Sequence, residues 1–294
     1  PWDCGGLYKL GDFPAKRFRT WNGHFRDDIR RFWKGDKSTI WPLKDRLVGN
    51  PSLYDDNNLA SIFSINFITS HDGFTLKDLV SFNKKHNLAN GENNRDGENH
   101  NNSFNYGVEG PTTNKEINNL RQRQQRNLLS SLLLSPGIPM LLMGDEIGRS
   151  QGGNNNTWCQ DNELGWMSWD DKNCDQDLKE FVIKLISIRK QLPDFFSPEC
   201  VFHSQKDKGS SKVKTSDFWI QWHGIKVNKP DWGDWSHTLG YSINKKDEGS
   251  AIWVGFNAYK EAMLFELPKP VSPWKKYIDT SVLKNKNISK KPLA

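Results

Sequence analysis

Two apolar runs of strand length, each closed by acidic residues, constrain the fold of this chain more than any other feature. The first occupies residues 64–69 and ends at His71-Asp72-Gly73. The second occupies residues 138–143 and ends at Gly144-Asp145-Glu146. Each run is followed by a long loop rich in Asn and Gly and then by an amphipathic segment. Strands that alternate with helices predict a parallel sheet, and acidic residues at the carboxyl ends of such strands are typical of β/α-barrel active sites.

Apolar residues at helical spacing predict helices over residues 24–33, 75–82, 114–134 and 177–192. Thr75 and Asp78 have the spacing of a capping box, so Asp72 is not needed to cap the helix that follows it. Asp72 is therefore a candidate catalytic carboxylate, with His71 beside it. The alternative is a solvated Asp-Gly turn next to a histidine without a catalytic role.

From about residue 200 onward the pattern changes to short alternating segments separated by turn residues. These segments cover residues 217–222, 239–243, 251–256, 263–267 and 274–278, and they predict an antiparallel β-sandwich. We therefore expect two domains, an α/β domain over residues 1–197 and an all-β domain over residues 198–294. The tryptophans of the second domain are expected to pack in its core; they are Trp219, Trp222, Trp232 and Trp235.

Composition and motifs argue against several classes of function. The net charge of +6 comes from lysines spread along the chain, and no nucleic-acid-binding motif accompanies them, so binding to nucleic acid is only weakly supported. The four cysteines form no C-x-x-C pair, which argues against a metal cluster and favours a reducing compartment. Residues 92–97 imitate the start of an EF-hand, but Ser103 stands where that loop requires Glu. No apolar run approaches the ~20 residues of a membrane span, and no cofactor motif is present.

Several motifs in this order resemble the isoamylase-type debranching enzymes of the α-amylase superfamily. They are Pro1-Trp2-Asp3-Cys4-Gly5-Gly6, Trp21-Asn22-Gly23-His24-Phe25-Arg26-Asp27, Asn66-Phe67-Ile68-Thr69-Ser70-His71-Asp72-Gly73, Asn90-Gly91-Glu92-Asn93-Asn94-Arg95-Asp96-Gly97, Gly144-Asp145-Glu146 and Trp158-Cys159-Gln160-Asp161-Asn162. The resemblance implies a (β/α)8 barrel followed by a C-terminal β-sandwich. It also implies hydrolysis of α-1,6 branch linkages in glycogen, amylopectin or limit dextrins, with retention of configuration.

The resemblance assigns Asp72 as the third acid of the site, which stabilises the transition state, and His71 as a hydrogen-bonding partner of the sugar. The nucleophile Asp of the family has no counterpart in this sequence, and the acid/base Glu would stand immediately before Pro1. We therefore expect the chain to be the C-terminal part of such an enzyme, with an incomplete barrel and a truncated sandwich, and to be inactive alone. The alternative is a non-catalytic, glucan-binding isoamylase-like partner subunit; His71 and Asp72 favour the catalytic interpretation.

Further residues are predicted to line a glucan site; they are Trp2, Asn154, Asn155, Asp161, Asp145 and Glu146. For Asp145 and Glu146 a structural role is an equally good interpretation, and Trp2 could equally form a wall at the end of its strand. The expected partner is a branched α-glucan, without nucleic acid, membrane, metal or cofactor, and a homo-oligomer is compatible with the sequence. The expected compartment is the cytoplasm, or the plastid if the source is a plant or an alga.

Overall fold

A parallel sheet of three short strands organises the first part of the chain. The computed structural model describes residues 18–50, 64–170, 172, 174–196, 203–204, 218–245, 249–270 and 273–282, together with residues 10 and 53. Strands β1 (Thr20–Asn22), β2 (Ser64–Phe67) and β3 (Ile138–Met140) lie side by side in chain order, and both neighbouring pairs are parallel. The predicted parallel α/β arrangement is therefore confirmed for this part of the chain.

Helices connect these strands, and polar side chains cap several of them. Helix α1 (Gly23–Lys34) follows β1 directly, since the side chain of Asn22 accepts a hydrogen bond from the Phe25 amide. Helices α2 (Ile40–Leu47), α3 (Leu76–Leu79), α4 (Lys115–Leu133) and α5 (Gln176–Gln191) follow, and the one-turn helix α6 (Pro193–Phe196) comes directly after α5. Single 3-10 turns lie at Leu88–Asn90, Asp145–Ile147 and Thr157–Cys159.

The second apolar run departs from the prediction of a strand covered on both faces. Only Ile138–Met140 pair with β2, all three residues are half-buried, and Met143 is 57% exposed. The reason is position: β3 has β2 on one side, and in the described part of the chain nothing pairs with its other edge. An apolar run can predict a strand, but it does not say whether that strand lies inside a sheet or at its edge.

A second sheet of four strands follows, in the order β4 (His203–Ser204), β5 (Phe218–His223), β6 (Thr238–Lys245) and β7 (Gly249–Asn257). The β5–β6 and β6–β7 pairs are antiparallel, as predicted, whereas β4 is parallel to β5. The described residues of this region form one sheet, so the second layer of a sandwich stays a prediction.

Two predictions for this region are wrong. Residues 263–267 form no strand, and of residues 274–278 only Ile278 takes part in a β-bridge. The ring of Phe265 instead packs against Trp253 of β7, with centroids 5.6 Å apart. Alternating apolar residues can therefore cover a sheet face without joining its ladder. Trp222 and Trp232 pack against the core as expected, but Trp235 is 67% exposed because it lies in the turn before β6.

One hydrophobic core extends across both sheets. Phe32 and Trp33 of α1 contact Phe256 of β7, with ring centroids 6.3 and 6.0 Å apart. His237 Nε2, just before β6, lies 2.9 Å from the carbonyl oxygen of Gly35, which ends α1. The predicted domain boundary at residue 197 falls outside the described residues. No helix within the described ranges is both long and apolar enough to cross a bilayer.

Candidate active site

The predicted acidic motif lies beyond the carboxyl end of β2, where it is open to solvent. The side chains of His71 and Asp72 are 69% and 66% exposed, and His71 Nε2 lies 3.3 Å from Asp72 Oδ2. The imidazole also packs edge-on against the Trp21 ring, with centroids 6.0 Å apart. Because Trp21 belongs to β1, a residue of the neighbouring strand supports the histidine from the same edge of the sheet.

Asp145 fixes the segment that carries this pair. Its carboxylate is buried and accepts one hydrogen bond from the Thr69 hydroxyl and another, of 2.9 Å, from the Leu76 amide. The two donors stand on either side of His71 and Asp72 in the chain. The single side chain of Asp145 therefore fixes both ends of the segment 69–76, which carries the exposed His71–Asp72 pair.

Burial governs the electrostatics of Asp145. Removal from water raises the pKa of this carboxyl to about 7, although the hydrogen bonds from Thr69 and Leu76 and the charge of Arg30 act in the opposite direction. Arg30 is itself buried, which lowers the pKa of its guanidinium to about 9. It donates to the carbonyl oxygens of Ile68 and Asn101, both at 2.8 Å, and so ties α1 to the loops beside the site.

The long loops after β2 and β3 are joined by buried amide side chains. Asn155 Oδ1 accepts from Asn87 Nδ2 at 2.8 Å, and Asn155 Nδ2 donates to Asn101 Oδ1 at 3.0 Å. The Asn155 carbonyl oxygen accepts from the Gly73 amide at 3.0 Å, next to Asp72. A Cβ added at Gly97 would lie 2.4 Å from Asn155 Oδ1, so this packing requires glycine at position 97.

Asn154 and Asn155 thus meet their hydrogen-bonding needs within the protein. Both are 1% exposed, and Asn154 Nδ2 donates to Asn90 Oδ1 at 2.8 Å. The structure therefore gives them a role in holding the two loops together near Gly73. Direct contact of these two residues with a glucan stays a prediction.

The remaining predicted site residues differ in their surroundings. Glu146 is half-buried, and its carboxylate accepts from the Gly144 amide at 2.9 Å, within its own turn. Asp161 is exposed and accepts from the indole nitrogen of Trp166 at 2.9 Å. Trp2 lies outside the described residues. The roles assigned to all of them stay predictions.

Sequence reasoning missed three residues that shape this edge of the sheet, namely Trp21, Arg30 and Thr69. Trp21 belongs to a motif of the family resemblance and Arg30 to a predicted amphipathic helix, but neither pattern gives these residues a role at the site. Thr69 and Asp145 are separated by 76 positions, so only the parallel pairing of β2 with β3 brings them together. In the part of the chain that the structure describes, no cluster of three His, Cys, Asp or Glu side chains could hold a metal ion.

The sequence is similar to known isoamylases and glycogen debranching enzymes. Residues 221–287 match the family described as "Isoamylase 1-3, C-terminal". The chain is 41% identical to the rice protein "Isoamylase 1, chloroplastic" over 281 residues, which are 95% of this chain and 33% of that protein. It is 46% identical to the Mycobacterium bovis "Glycogen operon protein GlgX homolog" over 79% of this chain and 32% of that protein. The Pectobacterium atrosepticum "Glycogen debranching enzyme" is 41% identical over 92% of this chain.

Solved structures agree at the level of the fold. A pullulanase from Bacillus acidopullulyticus superposes with a TM-score of 0.61 at 16% identity, over 94% of this chain and 28% of that one. A type I pullulanase from Bacillus subtilis gives a TM-score of 0.60 at 18% identity, over 94% and 33%. The chain spans about a third of the length of the sequence relatives it matches. Over nearly its whole length the chain is therefore similar in sequence to proteins named isoamylase and glycogen debranching enzyme, and it corresponds to about one third of those relatives.

Proposed function

We propose that this chain forms part of a debranching glycoside hydrolase that cleaves α-1,6 branch linkages of a glycogen- or amylopectin-like glucan with retention. The observation that carries the proposal is the exposed His71–Asp72 pair, held at the carboxyl edge of a parallel sheet by buried Asp145. The relatives named isoamylase and glycogen debranching enzyme supply the reaction class. In this proposal β1, β2 and β3 are three consecutive strands of a (β/α)8 barrel within residues 1–197, and residues 198–294 form the β-sandwich.

In the proposed chemistry, the carboxylate of Asp72 stabilises the positive charge that develops on the sugar. Retaining hydrolysis passes through an oxocarbenium-like transition state between a nucleophile and an acid/base carboxyl ~5–5.5 Å apart. In this proposal neither of those two carboxylates belongs to residues 1–294. A third carboxylate on a fixed loop stabilises the positive sugar ring more than the neutral substrate, and that difference lowers the barrier. Asp72 is exposed towards solvent, and its loop is fixed at both ends, as this role requires.

His71 serves binding in this proposal. Its ring is held edge-on by Trp21 and lies beside Asp72, so its nitrogens can reach a hydroxyl of the same sugar. The predicted glucan contacts of Asp161, Glu146 and Trp2 belong to the same proposal. The proposed compartment is the cytoplasm, or the plastid for a plant or algal source. The alternative of a non-catalytic partner subunit requires glucan binding without release of linear chains.

Kinetics of three variants test these roles in the complete coding product of the gene, with a branched maltooligosaccharide as substrate. We expect Asp72→Asn to lower kcat ~100-fold or more with little change in KM, because the lost charge acts mainly in the transition state. His71→Ala should mainly raise KM. Glu163→Gln is the matched control, because it neutralises another exposed carboxylate and should leave both constants unchanged. An Asp72→Asn enzyme with unchanged kcat would exclude the proposed role.

A further inference from the structure

A group of exposed aromatic side chains lies where the second sheet meets α1 and α2. Trp41, Trp235 and Tyr259 are 55%, 67% and 37% exposed, and they come from three distant parts of the chain. Hydrogen bonds bring these segments together: Ser38 N donates to the Asp234 carbonyl oxygen at 2.8 Å, and Tyr259 Oη donates to the Trp235 carbonyl oxygen at 3.1 Å. We call these three side chains the aromatic platform. Single exposed aromatic residues are common, whereas a group assembled from three segments is typical of a binding surface.

The tryptophans of the platform are held in fixed orientations. The Trp41 ring stacks on Trp232, with centroids 4.7 Å apart and planes at 24°. The Trp235 indole nitrogen donates to Asp231 Oδ2 at 3.2 Å. A Cβ added at Gly233 would lie 2.5 Å from the Trp235 ring, so one face of this indole rests on the glycine backbone. The Trp235 indole is therefore fixed by a hydrogen bond at its edge and by packing on one face, while two-thirds of the side chain is exposed. Such a ring is pre-organised to bind a flat apolar surface.

The platform lies far from the His71–Asp72 pair. Helix α1 starts at the carboxyl edge of the sheet, directly after β1, and ends at Gly35. His237 next to the platform contacts the Gly35 carbonyl oxygen, so the platform lies near the far end of this helix. A helix of 12 residues is about 18 Å long. The length of α1 therefore separates a ligand on the platform from the candidate active site.

The chemistry of the surface favours a sugar chain over a protein. A hexose ring has an apolar C–H face that stacks on an indole and hydroxyl groups at its rim that donate to carboxylates. Exposed carboxylates of Asp231 and Asp234 flank Trp235. The centre of a protein–protein interface is, by contrast, depleted of Asp. We propose that the aromatic platform binds a linear α-1,4-glucan segment, with Trp235 as the main stacking residue; the choice of α-glucan as ligand rests on the proposed function.

Binding of β-cyclodextrin tests this proposal, because this cyclic α-1,4-glucan has no α-1,6 linkage to cleave. In an Asp72→Asn background, we expect Trp235→Ala to weaken binding about tenfold or more. Asp231→Ala should weaken it less, by releasing the indole. Trp169→Ala is the matched control, because Trp169 is 81% exposed and lies in the loop after β3; binding should be unchanged. Since Trp235 is mostly exposed, its replacement should leave the unfolding transition nearly unchanged.

The ¹⁵N–¹H signal of the Trp235 indole provides a readout that does not depend on activity. The signal is assigned by its absence from the spectrum of Trp235→Phe. Its shift on addition of β-cyclodextrin to the protein that keeps Trp235 supports the platform even if the protein debranches nothing. The protein could debranch glucan while the Trp235 signal does not shift and the wild type and Trp235→Ala bind β-cyclodextrin equally well. That result would overturn the proposal for the platform and leave the proposed function intact. A change of oligomeric state in Trp235→Ala without any loss of glucan binding would also overturn it, in favour of a protein-docking surface.

Discussion

Replacement of Asp145 by Asn is expected to stabilise the protein at alkaline pH, although Asp145 is buried and doubly hydrogen-bonded. Asparagine can accept from the Leu76 amide through its oxygen and donate to the Thr69 hydroxyl through its nitrogen, so both links between the loops are retained. What the substitution removes is the buried negative charge.

The size of the effect follows from the pKa of Asp145. Burial raises this pKa from 3.8 to about 7 in the folded protein, so the folded state holds a proton that the unfolded state has released between those two values. The free energy of unfolding therefore falls as the pH rises from about 4 to about 7. The difference corresponds to about 4 kcal/mol, because a change of one in pKa is worth about 1.4 kcal/mol. Asp145→Asn should match the wild type near pH 4 and exceed it by up to about 4 kcal/mol at pH 8.5.

Urea unfolding followed by tryptophan fluorescence from pH 4 to 8.5 measures this difference. Asp145→Ala is the control for the hydrogen bonds: it also lacks the charge but leaves the buried Leu76 amide without its acceptor, so it should be about 1–3 kcal/mol less stable than Asp145→Asn at every pH. Asp72→Asn is the control for charge, because it neutralises an exposed carboxylate nearby. Parallel pH curves for the wild type and Asp145→Asn would refute the buried-charge reasoning.

Two further substitutions test other parts of the structure. Burial raises the pKa of Glu109, but hydrogen bonds from the amides of Asn83 and Lys84 and from two side chains outweigh it and hold this pKa at about 2. Glu109→Gln should therefore lower the thermal midpoint at pH 7. The difference between this variant and the wild type should fade as the pH drops from 4.5 towards 2, because the wild-type carboxylate is then protonated. Arg189 of α5 donates to three carbonyl oxygens within residues 133–137, at 2.7–2.8 Å, and so joins α5 to the connection between α4 and β3. Arg189→Met should cost about 2–3 kcal/mol in urea unfolding and Arg189→Lys less, and equal stabilities of the two variants would contradict this role.

Local patterns predict the elements of this fold well, because each pattern reflects forces within a few residues. The helix predicted over residues 114–134 is observed as Lys115–Leu133, with Asn114 accepting from the Glu116 and Ile117 amides. Thr75 caps α3 as expected, through the Asp78 amide. The second half of the capping box differs: the Asp78 carboxylate accepts from Ser150 Oγ and the Gln151 amide instead. The loop that contains Ser150, 72 residues away, thus binds the Asp78 carboxylate, which the local pattern assigns to the start of α3.

What the sequence could not predict depends on contacts between distant segments. The acidic ends of both apolar runs are visible in the sequence, but the burial of Asp145 and the exposure of Asp72 are not. Both residues follow a strand and stand beside glycine. They differ because β2 and β3 pair in parallel and turn one carboxylate towards Thr69 and Leu76. The exposure of Trp235 could likewise not be predicted from its local sequence, since it depends on the turn before β6 and on Gly233.

Linkage specificity is the measurement to make first, because debranching and general amylase activity both release reducing ends. The complete coding product of the gene should release linear chains and reducing ends from amylopectin and none from unbranched amylose. Asp72→Asn should slow the release from amylopectin ~100-fold or more. Reducing ends from amylose, or binding of amylopectin with no release of chains by the wild type, would contradict a debranching hydrolase; the latter result would identify a glucan-binding partner subunit instead.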